Sequence, residues 1–287
     1  RHWTIRPDAP ADQRIAERPA ETSGTTFRLP WAFDAASPVR RSLRLEAIQP
    51  EQLDAIAQQM GEAITHAAFF LQRLQQLTVS RNGVVVRSIQ RQLNGDRLLL
   101  TDETGDSREW LLLDGTFDDT ARQLRERYSW QIEAQRRSRV QIALPVTDRL
   151  DAGRLYAGLP TADSVQLPLH FNADFFPTTD RKRVQFDSGY QMAWNQAAVR
   201  VAAGLLADRL PDLPDILSPT SLWHLLQKCA DAAERAQRGE LPTPFTAFWE
   251  ALLPRLRQTP VFYTAAGTWL NPDAGRLLPG GTAVIAD

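Results

Sequence analysis

The hydrophobic period changes along this chain, and that change is what most restricts its fold. Between Pro50 and Leu77 apolar residues recur in steps of three and four, at Leu53, Ile56, Ala57, Met60, Ile64, Ala67, Ala68, Leu71 and Leu74. That is the stripe of an amphipathic helix. Directly afterwards β-rich runs at 79–89, 97–102 and 108–113 are broken by Asn82-Gly83, Asn94-Gly95 and Glu103-Thr104-Gly105, compositions that suit hairpin turns. An antiparallel meander is expected there. Thr116-Phe117-Asp118-Asp119 then has the form of a helix start, with Thr116 as cap and acids at the positive helix end. Phe117, Ala121, Leu124 and Tyr128 continue one face, and the helix is predicted to run to Arg136.

Strands are expected at 140–146, 153–157 and 164–171, ahead of the break at Pro177. The last third reads as helices over 189–209, 219–238 and 243–257, the latter two opened by Ser218-Pro219 and Thr243-Pro244, a cap followed by proline in the first turn. A closing hairpin would pair Val261-Phe262-Tyr263 with Thr268-Trp269-Leu270 across Ala265-Ala266-Gly267. The fold class is therefore α/β in the mixed α+β sense.

A chain of 287 residues has room for one large or two ordinary domains. Its 33 basic and 34 acidic side chains leave a formal charge of −1, so no global field recruits nucleic acid or anionic lipid. No tract approaches the ~20 apolar residues of a membrane span, and no membrane partner is expected. Cys229 is the sole cysteine, which excludes an internal disulfide framework and fits a reducing, cytoplasmic compartment. Residues 1–23 are rich in Pro and charge without a clear period, a loop or lid composition lacking the features of a secretory signal. With Arg1 rather than Met at its start, the chain reads as an interior piece of a longer protein.

The familiar catalytic signatures do not occur: there is no Gly-x-x-x-x-Gly-Lys loop, Gly-x-Gly-x-x-Gly turn or Gly-x-Ser-x-Gly elbow. His2, His66, His170 and His224 lie far apart, without the i, i+4 spacing that sets two imidazoles on one helix face for a metal. Asp118 and Asp119 fit the helix dipole better than paired acid–base work. The densest stretch is Leu167 to Phe186, LPLHFNADFFPTTDRKRVQF. Within it Arg181, Lys182 and Arg183 follow the aromatics Phe175 and Phe176. A guanidinium there could meet two phosphate oxygens at once. Composition alone favours a solvated basic turn balanced by Asp174, Asp180 and Asp187.

Two stretches carry a resemblance. GTTFRLPW, Gly24 to Trp31, is similar to the closing strand of the nucleotide domain in the GHKL superfamily of gyrase, chaperone, histidine-kinase and mismatch-repair ATPases. LYAGLPTADSVQLPLHFNADFFPTTDRKRV, followed by Trp194-Asn195, resembles the segment after the ATPase domain in sacsin-like proteins, as does the closing PVFYTAAGTWLNPDAG. The resemblance covers most of the chain from Ser23 onward, and its specific part is the block 155–195.

It implies three parts: 1–36 as lid remnant and closing strand of an ATP-binding domain, 37–187 as a middle domain like that of the ninety-kilodalton heat-shock chaperones, and 188–287 as a helical subdomain with a terminal hairpin. It further implies that Arg181 or Arg183, with Lys182 behind them, reaches the terminal phosphate of ATP held by an upstream ATP-binding domain. A cation there stabilises charge gathering on the transferred phosphoryl. The chaperone's serine-arginine-glutamate order is not reproduced. ATP and Mg are expected only in the intact protein, and the region would act as a non-catalytic transducer toward a protein client or a second copy of itself. The alternative is a nucleic-acid- or protein-binding module without ATP coupling, resting on Arg122, Arg125, Arg127, Arg136, Arg137 and Arg139.

Overall fold

The computed structural model describes residues 2–5, 15–18, 38–47, 49–146, 149–180 and 182–274. In chain order the elements are β1 (His2–Ile5), β2 (Ile15–Arg18), α1 (Pro38–Leu43), α2 (Pro50–Ala67), β3 (Gln76–Arg81), β4 (Val84–Asn94), β5 (Arg97–Asp102) and β6 (Ser107–Thr116). Then come α3 (Asp118–Arg127), β7 (Arg139–Pro145), β8 (Arg154–Ala157), β9 (Leu159–Ser164) and β10 (His170–Ala173). The chain continues through α4 (Gly189–Arg209), α5 (Leu213–Ile216), α6 (Pro219–Gln237), α7 (Thr246–Leu256), β11 (Phe262–Tyr263) and β12 (Trp269–Leu270). The class is mixed α/β. Among the described residues no helix is long and apolar enough to cross a membrane.

The chain divides into two compact units, Arg1–Gly61 with Ser80–Val86, and Glu62–Val79 with Arg87–Asp287. In the first, β1 and β2 pair antiparallel, with His2 opposite Arg18. At 2–5 and 15–18 this corrects the loop expected over 1–23: Trp3, Thr4 and Ile5 are strand formers and pair with Ile15 to Glu17. Asn82 and Gly83 both lie at positive φ, 51° and 81°, as the tight turn they were expected to make requires. The strand expected over Gly24 to Trp31 lies outside the described residues.

The second unit holds all of an eight-stranded sheet of order β3-β4-β5-β6-β7-β10-β8-β9 except the tip of its β3–β4 hairpin, 80–86. The pairs from β4 to β7, and β7/β10 and β8/β9, are antiparallel, whereas β10 and β8 are parallel. Alternation along each strand gives the sheet two covered faces. Leu111, Leu113, Val140, Ile142, Leu144, Leu155 and Phe171 point into one core together with Trp194, Ala198, Leu206, Leu222, Leu226, Phe248 and Leu252 from α4, α6 and α7. The sheet and the helices after 188 thus share one apolar core. On the opposite face Leu98, Leu100, Trp110, Leu112 and Tyr156 receive Ala68, Phe69 and Phe70.

That second contact explains why the helix over 50–77 stops short. α2 ends at Ala67, because burying Phe69 and Phe70 takes the chain down onto the sheet. The Nε of buried Arg91 donates to the carbonyl of Ala68 at 3.0 Å, placing a cation at the negative end of the helix. α3 likewise ends at Arg127, short of Arg136. Ile132 is buried and Arg139 stands opposite Thr116 in the sheet, so the chain must reverse in between. Its cap position is Phe117, and the Thr116 hydroxyl donates instead to Asp118 at 2.7 Å.

The strand expected over 164–171 is replaced by a buried connection, Val165 to Leu169, and a short β10. Gln166 has φ 58°, and Pro168 cannot donate to a ladder. Gly153 packs so closely beneath this connection that a Cβ there would lie 1.6 Å from the Leu169 carbonyl oxygen. The helical third matches expectation closely. α4 spans Gly189–Arg209, and Ser218 caps α6 by accepting from the Ser221 amide at 3.1 Å. In the last hairpin Phe262 faces Leu270 and Tyr263 faces Trp269.

Candidate functional site: the basic turn

The basic turn leaves the sheet immediately after β10 and is anchored by burial on its N-terminal side. Phe175 and Phe176 are buried, Phe176 edge-on to Tyr190 and Trp194 at centroid distances of 5.1 and 6.2 Å. The Arg136 guanidinium lies 3.6 Å from the centre of the Phe176 ring. Asn195, fully buried on α4, supplies the polar half of the anchor. Its Oδ1 accepts the Phe176 amide at 2.8 Å, and its Nδ2 donates to the carbonyls of Phe176 and Gln185 at 3.0 and 2.7 Å. One side chain therefore holds both stems of the loop. The Trp194-Asn195 pair, picked out in the sequence only through resemblance, has this physical reason.

Beyond the anchor the loop closes on itself. Pro177 and Val184 form an antiparallel bridge, and the Thr178 amide donates to the Arg183 carbonyl at 2.7 Å. Asp180 accepts from the Thr178 hydroxyl at 2.7 Å and from the Lys182 amide at 3.1 Å. Those bonds, the Thr178 hydroxyl foremost, hold its carboxyl below the ordinary carboxylate range. Laterally the turn is fastened to β9. The Ala162 amide donates to the Lys182 carbonyl at 2.8 Å, and Asp163 accepts from the Val184 amide at 2.6 Å and from Arg183 Nε at 3.2 Å.

Lys182 and Arg183 are both exposed, the Arg183 side chain at 74%. Only its Nε is engaged, so both terminal nitrogens of the guanidinium are without a hydrogen bond among the described residues. An exposed ion pair of this kind contributes about 0–1 kcal/mol, which leaves the fork easily redirected to another anion. Arg181 lies outside the described residues. Among the described residues no three His, Cys, Asp or Glu side chains come together as a metal site.

No family model, curated protein or solved structure matches the chain.

The arginines around α3 have a different character from the turn. Arg122 pairs with Asp119, and Arg139 pairs with Asp114. Arg136 pairs with Glu133 and Asp174, and Arg125 donates to the Arg136 carbonyl while lying over Trp194. Four of these six cations are thus committed within the molecule. Asp118 accepts from Ser138 and Thr116, which lowers its pKa and ties α3 to the start of β7. Both aspartates at this helix start therefore have structural partners. Sequence reading gave no signal for Asp163, a lone acid distant in sequence from the turn it braces.

Proposed function

We propose that this chain is the middle, non-catalytic transducing region of a sacsin- and chaperone-like ATPase. In this reading the turn Arg181-Lys182-Arg183 is offered to the terminal phosphate of ATP held by an upstream domain, and its position is coupled to conformational change or partner binding. The observation that carries the reading is the mounting of the turn. Lys182 and Arg183 project into solvent from a loop whose backbone is bonded at both stems and along one side. A donor carried on a bonded backbone loses less when it meets developing charge, and a planar fork whose terminal nitrogens have no hydrogen bond among the described residues suits phosphate oxygens. The resemblance of the block 155–195 supplies the identity of the anion.

The test is ATP hydrolysis by the intact protein. Arg181→Ala and Arg183→Ala are expected to slow turnover, at least one of them by about tenfold or more, with the melting temperature unchanged. Normal hydrolysis in both variants would refute the phosphate contact. A nucleic-acid surface around α3 gains little support, because the arginines that suggested it are largely occupied by Asp119, Glu133, Asp114 and Asp174.

A further inference from the structure

The face of the sheet that carries Gln141 and Asn172 has a cleft of ≈ 540 Å³, lined among others by Phe70, Arg73, Arg137, Arg139 and Asp174. This volume lies within the range of small-ligand sites. Its charge is not balanced. Asp174 Oδ1 accepts from Arg136 at 3.2 Å and Oδ2 from the Arg137 amide at 3.0 Å, while Asp114 is held by Arg139 and by Gln141 at 2.9 Å. Asp114 is thus neutralised by Arg139, whereas Arg136 is shared between Asp174 and Glu133. Arg73 and Arg137 remain, both exposed, and neither side chain has a partner among the described residues.

The mounting is rigid where it matters. Arg136 Nη1 donates to the carbonyls of Asp174 and Phe175 at 2.8 and 3.1 Å, which fixes the backbone from which Arg137 projects. The side-chain amides are oriented in series: the Gly158 amide donates to Asn172, Asn172 to Gln141, and Gln141 to Asp114. Across the opening, Arg139 Nη1 donates to Gln72 at 2.9 Å. Leu71, Leu74 and Ala157 offer apolar surface beside these polar groups.

We propose that this cleft is a binding site for a small organic phosphate, with its phosphate near Arg73 and Arg137 and its organic part against Leu71, Leu74 and Ala157. Two guanidiniums without a side-chain partner among the described residues leave the cleft an excess of positive charge over Asp114, Asp174 and Glu133, which suits a phosphate group. A long polyanion is less well served, because the adjoining cleft sets Asp96, Asp114, Asp208 and Asp212 against only Arg139 and Arg209, and Arg209 is already paired with Asp96 and Asp212. The site is separate from the basic turn and does not depend on its role.

Titration calorimetry at low salt with AMP, adenosine and inorganic pyrophosphate tests this. AMP and pyrophosphate are expected to bind saturably at one site, adenosine not to bind, and affinity to fall as salt rises. Arg73→Ala and Arg137→Ala should each weaken AMP by about tenfold or more, Arg137→Lys by less, and Arg183→Ala not at all. Both alanine variants alter exposed side chains, and thermal melting checks that they remain folded. The proposal is overturned if neither phosphate probe saturates, or if the double variant binds as the parent does, meaning an adventitious ion only. It is equally overturned if affinity for oligonucleotides climbs with length beyond the mononucleotide, which would mark a nucleic-acid surface.

Discussion

His170 sits in an aromatic enclosure, its ring centre 4.4 Å from that of Phe69, 5.3 Å from Trp110, 5.6 Å from Tyr156 and 6.2 Å from His66. Its Nδ1 accepts the Arg154 amide at 3.1 Å. Burial, helped by His66 and Arg154, pushes its pKa down to about 3, and burial also lowers that of His66. The unfolded chain binds a proton at each ring near pH 6.5, so below that pH the unfolded state holds more protons than the folded one. Stability is fully present above pH 6.5 and falls as pH drops toward 3, at up to about 1.4 kcal/mol per pH unit for His170. His170→Phe should cost about 1 kcal/mol at pH 7 through the lost acceptor, yet equal or exceed the parent near pH 4.5. Urea midpoints across pH 4.5 to 7 decide this, and parallel curves for the two proteins would contradict it. His170 falls in the stretch Leu167 to Phe171 that reads as a buried strand, but its enclosure was not legible, because its partners come from α2 and the turn after it, β6 and β8. The cations at 181–183 were legible for the opposite reason: a run of local charge after two aromatics needs no long-range contact to be noticed.

Elements were legible where their period was long and their ends chemically marked. Gly189–Arg209 and Pro219–Gln237 were bounded within a residue or so, because Ser218-Pro219 announces a start and a buried helix keeps its apolar pattern through many turns. They failed where tertiary contacts end an element that local pattern would continue, as Phe69 and Phe70 end α2. The connection Val165 to Leu169 failed similarly, since its apolar alternation serves burial without a ladder. Two glycines separate these influences. Gly153→Ala would drive a Cβ into the Leu169 carbonyl and is expected to cost about 3 kcal/mol or more. Gly204→Ala, inside α4 with open space around the added methyl, should gain about 0.5–1 kcal/mol. Denaturant melts of the pair test both; equal effects of the two changes would mean that the close approach at Gly153 is not what the chain depends on.

At the scale of the molecule, Cys229 reports on the core that joins the sheet to α4, α6 and α7. Its thiol is fully buried, and burial pushes its pKa up to about 12. A thiolate reagent should therefore label it only after large-scale opening. The labelling rate is expected to rise with denaturant in step with global unfolding, and rapid labelling of the native protein would show the helices to be a loosely docked layer instead. The same continuity bears on the basic turn. Its backbone is bonded to β9 on either side of Arg183, through Ala162 to Lys182 and through Asp163 to Val184. β9 in turn pairs with β8, and that pairing slips between Arg154 and Tyr156. That irregular rung neighbours the His170 enclosure through Arg154 and Tyr156, so only β8 stands between the strand that braces the turn and the strand that carries the enclosed imidazole.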